Sequence, residues 1–143
     1  MILYCDTSAL IKLYVEEEHS EPMERLAAQA SAIAVSRITW VEAMAAFSRR
    51  AREQPRDASD IEGCKQSLRE TWPNFAIMEF NQALAEAAEE LAEAFALRAY
   101  DSVQLASARI MKQRTSENLL FACFDRRLQK AASMLGIESF GLV

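Results

Sequence analysis

The chain has 143 residues, of which 51% are hydrophobic and 26% are charged, and its formal net charge is −5. This length and composition are typical of one globular domain with a full hydrophobic core. The three glycines are too few and too scattered for a Walker loop or a glycine-rich dinucleotide-binding loop. One histidine and three widely separated cysteines argue against a zinc site and a disulfide framework, so any catalysis would depend on carboxylates.

The sequence also lacks the features of membrane and secreted proteins. No apolar stretch approaches the roughly 20 residues that cross a bilayer. The first residues have neither the basic region nor the cleavage site of a signal peptide. We therefore expect a cytoplasmic protein with no membrane contact. The negative net charge argues mildly against a nucleic-acid partner, but bunched arginines, such as Arg126 and Arg127, allow a local basic surface.

Hydrophobic periodicity and helix boundary signals predict five strands and seven helices. Pro22 is placed where a helix could begin. Thr39 and Glu42, and likewise Ser59 and Glu62, have the spacing of a capping box. In chain order the predicted elements are a strand at 2–5, helices at 8–15 and 22–29, a strand at 32–35, helices at 39–52 and 59–71, a strand at 75–78, helices at 82–96 and 102–114, a strand at 119–124, a helix at 126–135 and an edge strand at 138–142.

Strands that are separated by helices imply right-handed crossovers and a parallel sheet covered on both faces. The fold class predicted is therefore α/β, a single domain over residues 1–143 with a mainly parallel central sheet of about five strands flanked by helices. In such open sheets the ligand site lies beyond the carboxyl ends of the strands. The side chains at those ends are the candidates for function.

Four carboxylates are predicted near that edge of the sheet. Asp6 follows the first strand, Asp125 follows the fourth, Asp101 opens a helix, and Glu42 lies in the first turn of another. Each has an ordinary explanation as a residue that caps a helix and complements its dipole. As a set, however, four acids at one edge would repel one another unless a hard divalent cation joined them. The two interpretations are compatible, and both stay open.

Several motifs resemble the PIN-domain ribonucleases, and in particular the VapC-type toxins of toxin–antitoxin pairs. The resemblance spans nearly the whole chain and includes the Glu42 helix. The matching segments are 6–14 (DTSALIKLY), 97–106 (LRAYDSVQLA) and 124–128 (FDRRL). It implies a metal-dependent endoribonuclease in which Asp6 and Asp101 are the principal Mg²⁺ ligands, with Glu42 and Asp125 completing the acidic cluster. Mn²⁺ is a possible substitute, and Thr7 and Ser8 would support the site.

The resemblance also implies the partners: an RNA substrate, a cognate antitoxin and a second copy of the chain in a homodimer. It leaves the identity of the RNA open. One position departs from the family, because Cys123 stands where members usually have threonine or serine two residues before the last acid. A thiol is a weaker donor and a softer ligand than a hydroxyl, so its support of Mg²⁺ would be poorer. The other interpretation of Cys123 is a small buried strand residue.

Two alternatives to a toxin ribonuclease remain. The acidic edge could belong to a noncatalytic regulatory module that binds Mg²⁺ or accepts a phosphoryl group, as receiver-type α/β domains do. Those domains have a lysine at a late strand end, whereas Lys130 falls inside a predicted helix. The chain could also be a PIN-like nuclease outside toxin–antitoxin systems. Arg98 and Arg126 are candidates for phosphate contacts, although surface arginines are more often only solvated.

Overall fold

In the computed structural model, which describes residues 1–143, five parallel strands form one sheet in the order β3-β2-β1-β4-β5. The central strand β1 pairs with β2 on one side and with β4 on the other. The α/β fold class with a parallel sheet of five strands is therefore confirmed. The strands are β1 (Ile2–Cys5), β2 (Ala32–Ser36), β3 (Ala76–Met78), β4 (Leu119–Ala122) and β5 (Ser139–Phe140).

Seven helices cover the two faces of the sheet, and short 3₁₀ turns precede α4 (Pro55–Asp57) and follow it (Trp72–Asn74). No helix combines the length and the apolar character that a membrane crossing requires. The helices are α1 (Thr7–Ile11), α2 (Ser20–Gln29), α3 (Ile38–Glu53), α4 (Ala58–Thr71), α5 (Gln82–Phe95), α6 (Ala99–Arg114) and α7 (Arg126–Met134).

The core has two layers, one on each face of the sheet, because successive side chains of a strand point to opposite faces. Ile2 and Tyr4 of β1 pack into the layer beneath α5, α6 and α7. Leu3 and Cys5 pack into the layer beneath α1 to α4. All four are buried, which explains why this strand is apolar throughout instead of alternating with polar residues. Both faces of the central strand that leads to Asp6 are thereby covered by helices.

Some predicted boundaries are wrong, and local hydrogen bonds explain two of them. The helix predicted at 8–15 ends at Ile11, because the N–H groups of Lys12 and Leu13 each donate to the carbonyl three residues earlier and tighten the chain. The second helix begins at Ser20, so Pro22 lies within the first turn, where a missing N–H costs nothing. β4 ends at Ala122, two residues before the predicted end.

The predicted helix starts at Ser59 and Ser102 are also too late. The 3₁₀ turn before α4 leads directly into that helix at Ala58, and no side chain caps it, so Ser59 forms no capping box. α6 begins at Ala99 with Arg98 in the N-cap position. This earlier start moves Asp101 from the entrance of α6 into its first turn.

Candidate active site

Asp6 lies directly after β1 and caps α1. Its Oδ1 accepts hydrogen bonds from the Ala9 backbone N–H at 2.9 Å and from the Ser8 hydroxyl at 2.7 Å. The residue is only 5% exposed. Burial raises the pKa of the Asp6 carboxyl to about 7 against the lowering effect of these hydrogen bonds, and the charges of Asp101 and Glu42 raise it further. Asp6 is thus a buried carboxyl group that lies near the carboxylates of Glu42 and Asp101.

Glu42 approaches the same place from α3. Its Oε1 accepts hydrogen bonds from the Thr7 hydroxyl at 2.7 Å and from the Gln104 side-chain N–H at 3.0 Å. The capping box predicted for Thr39 and Glu42 is wrong, because α3 begins at Ile38 with Arg37 in the N-cap position. Thr39 is fully buried and accepts a hydrogen bond from Gln104 at 2.8 Å instead. Glu42 is therefore oriented by side chains of α1 and α6 and not by its own helix end.

Asp101 and Asp125 complete the group from the other side. Asp101 is the third residue of α6, and no hydrogen bond from a helix N–H reaches its side chain, so the capping interpretation is wrong for this residue. Burial raises the pKa of Asp101, and the charges of Asp125 and Glu42 add to this effect, whereas Arg98 lowers it. Asp125 does cap α7, since its Oδ1 accepts from the Leu128 N–H at 2.9 Å. The capping interpretation is confirmed for Asp6 and Asp125.

The charges of Asp6, Glu42 and Asp101 act on one another and that of Asp125 acts on Asp101. None of the four forms an ion pair with a lysine, an arginine or the histidine. The hydrogen bonds of Asp6, Glu42 and Asp125 each reach one carboxylate oxygen, and the second oxygen has no protein donor. Such an oxygen-only donor set fits a hard divalent cation. As the side chains stand, no group of three or more is positioned to chelate an ion.

The fold and this cluster can be compared with known proteins. The family model of the PIN domain matches residues 3–134. The chain belongs to the PIN-domain family. Its curated relatives include Ribonuclease VapC45 and Ribonuclease VapC49 of Mycobacterium tuberculosis, each 30% identical over 135 residues, which span 94% of this chain and 92% of the relative. The resemblance to PIN-domain and VapC-type proteins, inferred from the motifs, is confirmed.

Solved structures share the PIN fold over nearly the whole chain. A toxin–antitoxin complex from Klebsiella pneumoniae superposes with a TM-score of 0.67 at 22% identity, covering 99% of this chain and 100% of that chain. FitAcB from Neisseria gonorrhoeae superposes with a TM-score of 0.71 at 18% identity, covering 99% and 97%. At these identities the similarity establishes the fold.

Thr7 and Ser8 of this PIN domain contact the acids as predicted supporting residues would. The Thr7 hydroxyl donates to Glu42, and the Ser8 hydroxyl donates to Asp6 while accepting from the Phe124 N–H at 3.2 Å. Cys123 is different. Its side chain is fully buried in the core beneath α5 to α7, where burial raises the pKa of the thiol, and it makes no hydrogen bond to a carboxylate. This environment favours the interpretation of a buried strand residue.

A buried hydrogen-bond chain behind Glu42 was not predicted. The Tyr4 hydroxyl donates to Gln104 Oε1 at 2.9 Å, which fixes the orientation of the amide. Gln104 Nε2 then donates to Thr39 and to Glu42. Gln104 is only 3% exposed. The one sequence feature that could have predicted this chain is a glutamine in an apolar stretch, three residues after Asp101 and hence on the same side of α6.

The PIN domain's acidic cluster opens onto a surface cavity of about 380 Å³. Asp101 and Asp125 line this cavity together with half-buried Phe124 and three arginines, Arg98, Arg126 and Arg127. Two carboxylates and three guanidinium groups therefore lie side by side around this cavity.

Proposed function

We propose that the chain is a metal-dependent endoribonuclease and the toxin component of a toxin–antitoxin module. The observation that supports this most strongly is the set of four unpaired carboxylates, Asp6, Glu42, Asp101 and Asp125, gathered at one edge of a PIN-domain sheet. With a single histidine in the chain, no pair of imidazoles is available for acid–base cleavage of RNA. In this proposal the carboxylates therefore provide the catalytic groups.

In this proposal Asp6 and Asp101 are the principal ligands of Mg²⁺, or of Mn²⁺ in its place, and Glu42 and Asp125 complete the set. A divalent ion supplies an activated water and offsets the charge that develops on the phosphate. The chain's own residues prepare the ligands: Ser8 and the Ala9 N–H hold Asp6, and Thr7 and Gln104 hold Glu42. Arg98, which lines the cavity beside Asp101, would orient the scissile phosphate through charge-assisted hydrogen bonds.

The comparisons support the substrate and the partners of this proposal. Two relatives at 30% identity are ribonucleases by name, and the Klebsiella structure is a toxin–antitoxin complex. We accordingly assign RNA as the substrate and a cognate antitoxin as the inhibitor. The homodimer stays part of the proposal as what the family resemblance implies. An antitoxin arginine placed among the unpaired carboxylates would compete with the metal ion. The regulatory-module alternative is disfavoured, because Lys130 lies within α7 and not at a strand end.

The direct test is incubation of purified, antitoxin-free protein with total cellular RNA in the presence of Mg²⁺, of Mn²⁺ or of EDTA. The matched control is an Asp6→Asn/Asp101→Asn variant. We expect discrete cuts from the wild-type protein with metal, and none with EDTA or with the variant. Identical cutting by both proteins would identify a contaminant and refute the proposal. Added antitoxin should suppress the cutting, and undiminished cleavage at saturating antitoxin would refute the toxin assignment.

A further inference from the structure

Two surface cavities lie beside α7. One is the 380 Å³ cavity at Asp101 and Asp125, the other has a volume of about 610 Å³, and Arg126 and Arg127 line both. The second cavity continues past Lys130 towards Met134 and is closed on its far side by the end of α5. We call these two cavities together the α7 groove.

The α7 groove is lined by cations that form no ion pair, although Arg127 donates a hydrogen bond to the Ala96 carbonyl at 3.4 Å. Arg98, Arg126, Arg127 and Lys130 are exposed, and none forms an ion pair, although the chain has five more acidic than basic groups. α7 contains no acidic residue, and Lys130 lies three positions after Arg127 and four after Arg126, so it neighbours each of them on the helix surface. Glu93 is the one acid in the second cavity. The groove therefore has free positive charge beyond the acidic cluster.

An aromatic ring accompanies the cations in each cavity. Half-buried Phe124 lines the first, and half-buried Phe95 lines the second. The His19 ring already stacks on Phe124 at 5.0 Å between centroids and Lys12 Nζ lies 4.6 Å from its centre, so Phe95 is the ring left to pack against a base. Cations that alternate with aromatic surface are typical of grooves that bind single-stranded nucleic acid, where phosphates meet the charges and bases meet the rings. An acidic protein segment would use only the charges.

We propose that the α7 groove binds single-stranded RNA on one side of the scissile phosphate. Arg126 and Arg127 contact the first phosphates beyond the acidic cluster, Lys130 contacts the next, and a base packs against Phe95 and Met134. This inference rests on the proposed endoribonuclease function, because it assigns the path of that substrate. It makes α7 a determinant of RNA affinity and leaves the chemistry to the acids.

The test compares two double variants of the full chain that remove the same charge from different places. Arg127→Ala/Lys130→Ala removes two groove cations. Arg52→Ala/Arg69→Ala removes two exposed, unpaired cations from α3 and α4. The probe is a fluorescein-labelled, mixed-sequence single-stranded RNA of about 12 nucleotides, held in EDTA to prevent cutting, and anisotropy is measured across the range of salt over which phosphate contacts weaken.

We expect the groove variant to raise Kd about tenfold and to reduce the slope of log Kd against log salt by about 1.4, since each phosphate contact to a single strand contributes about 0.7. The control variant should change Kd less than about twofold, as charges outside the contact surface do. Equal losses in both variants would overturn the assignment of the groove. Displacement of the RNA by polyglutamate as efficiently as by unlabelled RNA would also overturn it, in favour of an acidic protein segment.

Cleavage measured separately distinguishes this inference from the function on which it rests. A wild-type protein that binds RNA through the groove but never cuts refutes the proposed ribonuclease and leaves the groove supported. A wild-type protein that cuts, and whose groove variant cuts with unchanged KM, supports the ribonuclease and refutes the groove. We expect the groove variant to cut with a KM raised about tenfold and with kcat nearly unchanged, because the lost contacts are the same in the ground and transition states.

Discussion

Replacing Asp6 by asparagine should stabilise the fold while it removes activity. Asp6 is almost completely buried, and its pKa is about 7 in place of the ordinary 3.8, so the ionised form is less favourable in the folded chain than in the unfolded chain. Because the folded-state pKa is raised, the unfolding free energy of the wild-type protein falls as pH increases from about 4 to about 7. Asparagine cannot ionise, yet its carbonyl can still accept from Ala9 and Ser8.

The size of the effect follows from that difference in pKa. At about pH 8 the ionised Asp6 carboxylate costs the folded state up to about 4 kcal/mol relative to the unfolded state. The new amide N–H₂ offsets part of the gain unless it finds an acceptor, so we expect the variant to gain about 2 to 4 kcal/mol. For a chain of this length each kcal/mol corresponds to about 3 °C, which gives a rise in Tm of about 6 to 12 °C. At about pH 5 less than half of the gain should remain.

The assay is thermal unfolding in EDTA at both pH values. Asp60→Asn is a matched control, because Asp60 is an exposed aspartate on α4 that forms no ion pair. The control should change Tm by no more than about 2 °C at either pH, as exposed substitutions usually do. The reasoning is refuted if Asp6→Asn lowers Tm at the higher pH, or if the variant raises Tm by the same amount at both pH values.

Four further substitutions have definite expected outcomes. Gln104→Leu removes a donor that orients Glu42, so Mn²⁺ affinity and kcat should each fall about 10- to 100-fold. Tyr4→Phe, which removes the hydrogen bond that fixes the Gln104 amide, should give a smaller loss of both. Unchanged Mn²⁺ affinity in both variants would show that the network is merely structural. Gly141→Ala would place a methyl group 1.7 Å from the Cys123 carbonyl oxygen, so chemical denaturation should show a loss of about 1 to 3 kcal/mol, and an unchanged midpoint would contradict this packing. Cys123→Thr should preserve or raise cleavage, whereas a large loss would show that this position has been matched to the family incorrectly.

The parts of the fold and site that could be predicted depend on local sequence. β1 is an apolar run that ends at Asp6, and a carboxylate at that point caps the next helix whatever the rest of the chain does. Asp125 is placed by the same local rule at the start of α7. The alternation of strands and helices then places both acids at one edge of a parallel sheet. These features can be predicted without knowing which residues far apart in sequence contact one another.

The features that could not be predicted depend on tertiary packing. Thr39 and Glu42 have the spacing of a capping box. The Thr39 hydroxyl oxygen instead accepts a hydrogen bond from the buried amide of Gln104 in α6, which is more than 60 residues away in sequence. In the sequence Gln104 resembles any other helical residue, and only the packing of α6 on the sheet brings the Tyr4 hydroxyl within hydrogen-bond distance of it. Alternation places Cys123 on the same face as Leu119 and Phe121 of β4, but only the packed structure shows that this face lies beneath α5 to α7.

The central claim is that the four carboxylates form one divalent-metal site, and calorimetric titration with Mn²⁺ tests it most directly. Wild-type protein should bind Mn²⁺ with measurable heat, and Asp101→Asn should weaken that binding at least tenfold, as loss of a ligand does. The bound ion should also raise the Tm of the wild-type protein in proportion to the logarithm of its concentration, and should leave Asp6→Asn/Asp101→Asn unchanged. Equal Mn²⁺ affinity in the wild-type protein and in the double variant would contradict the account.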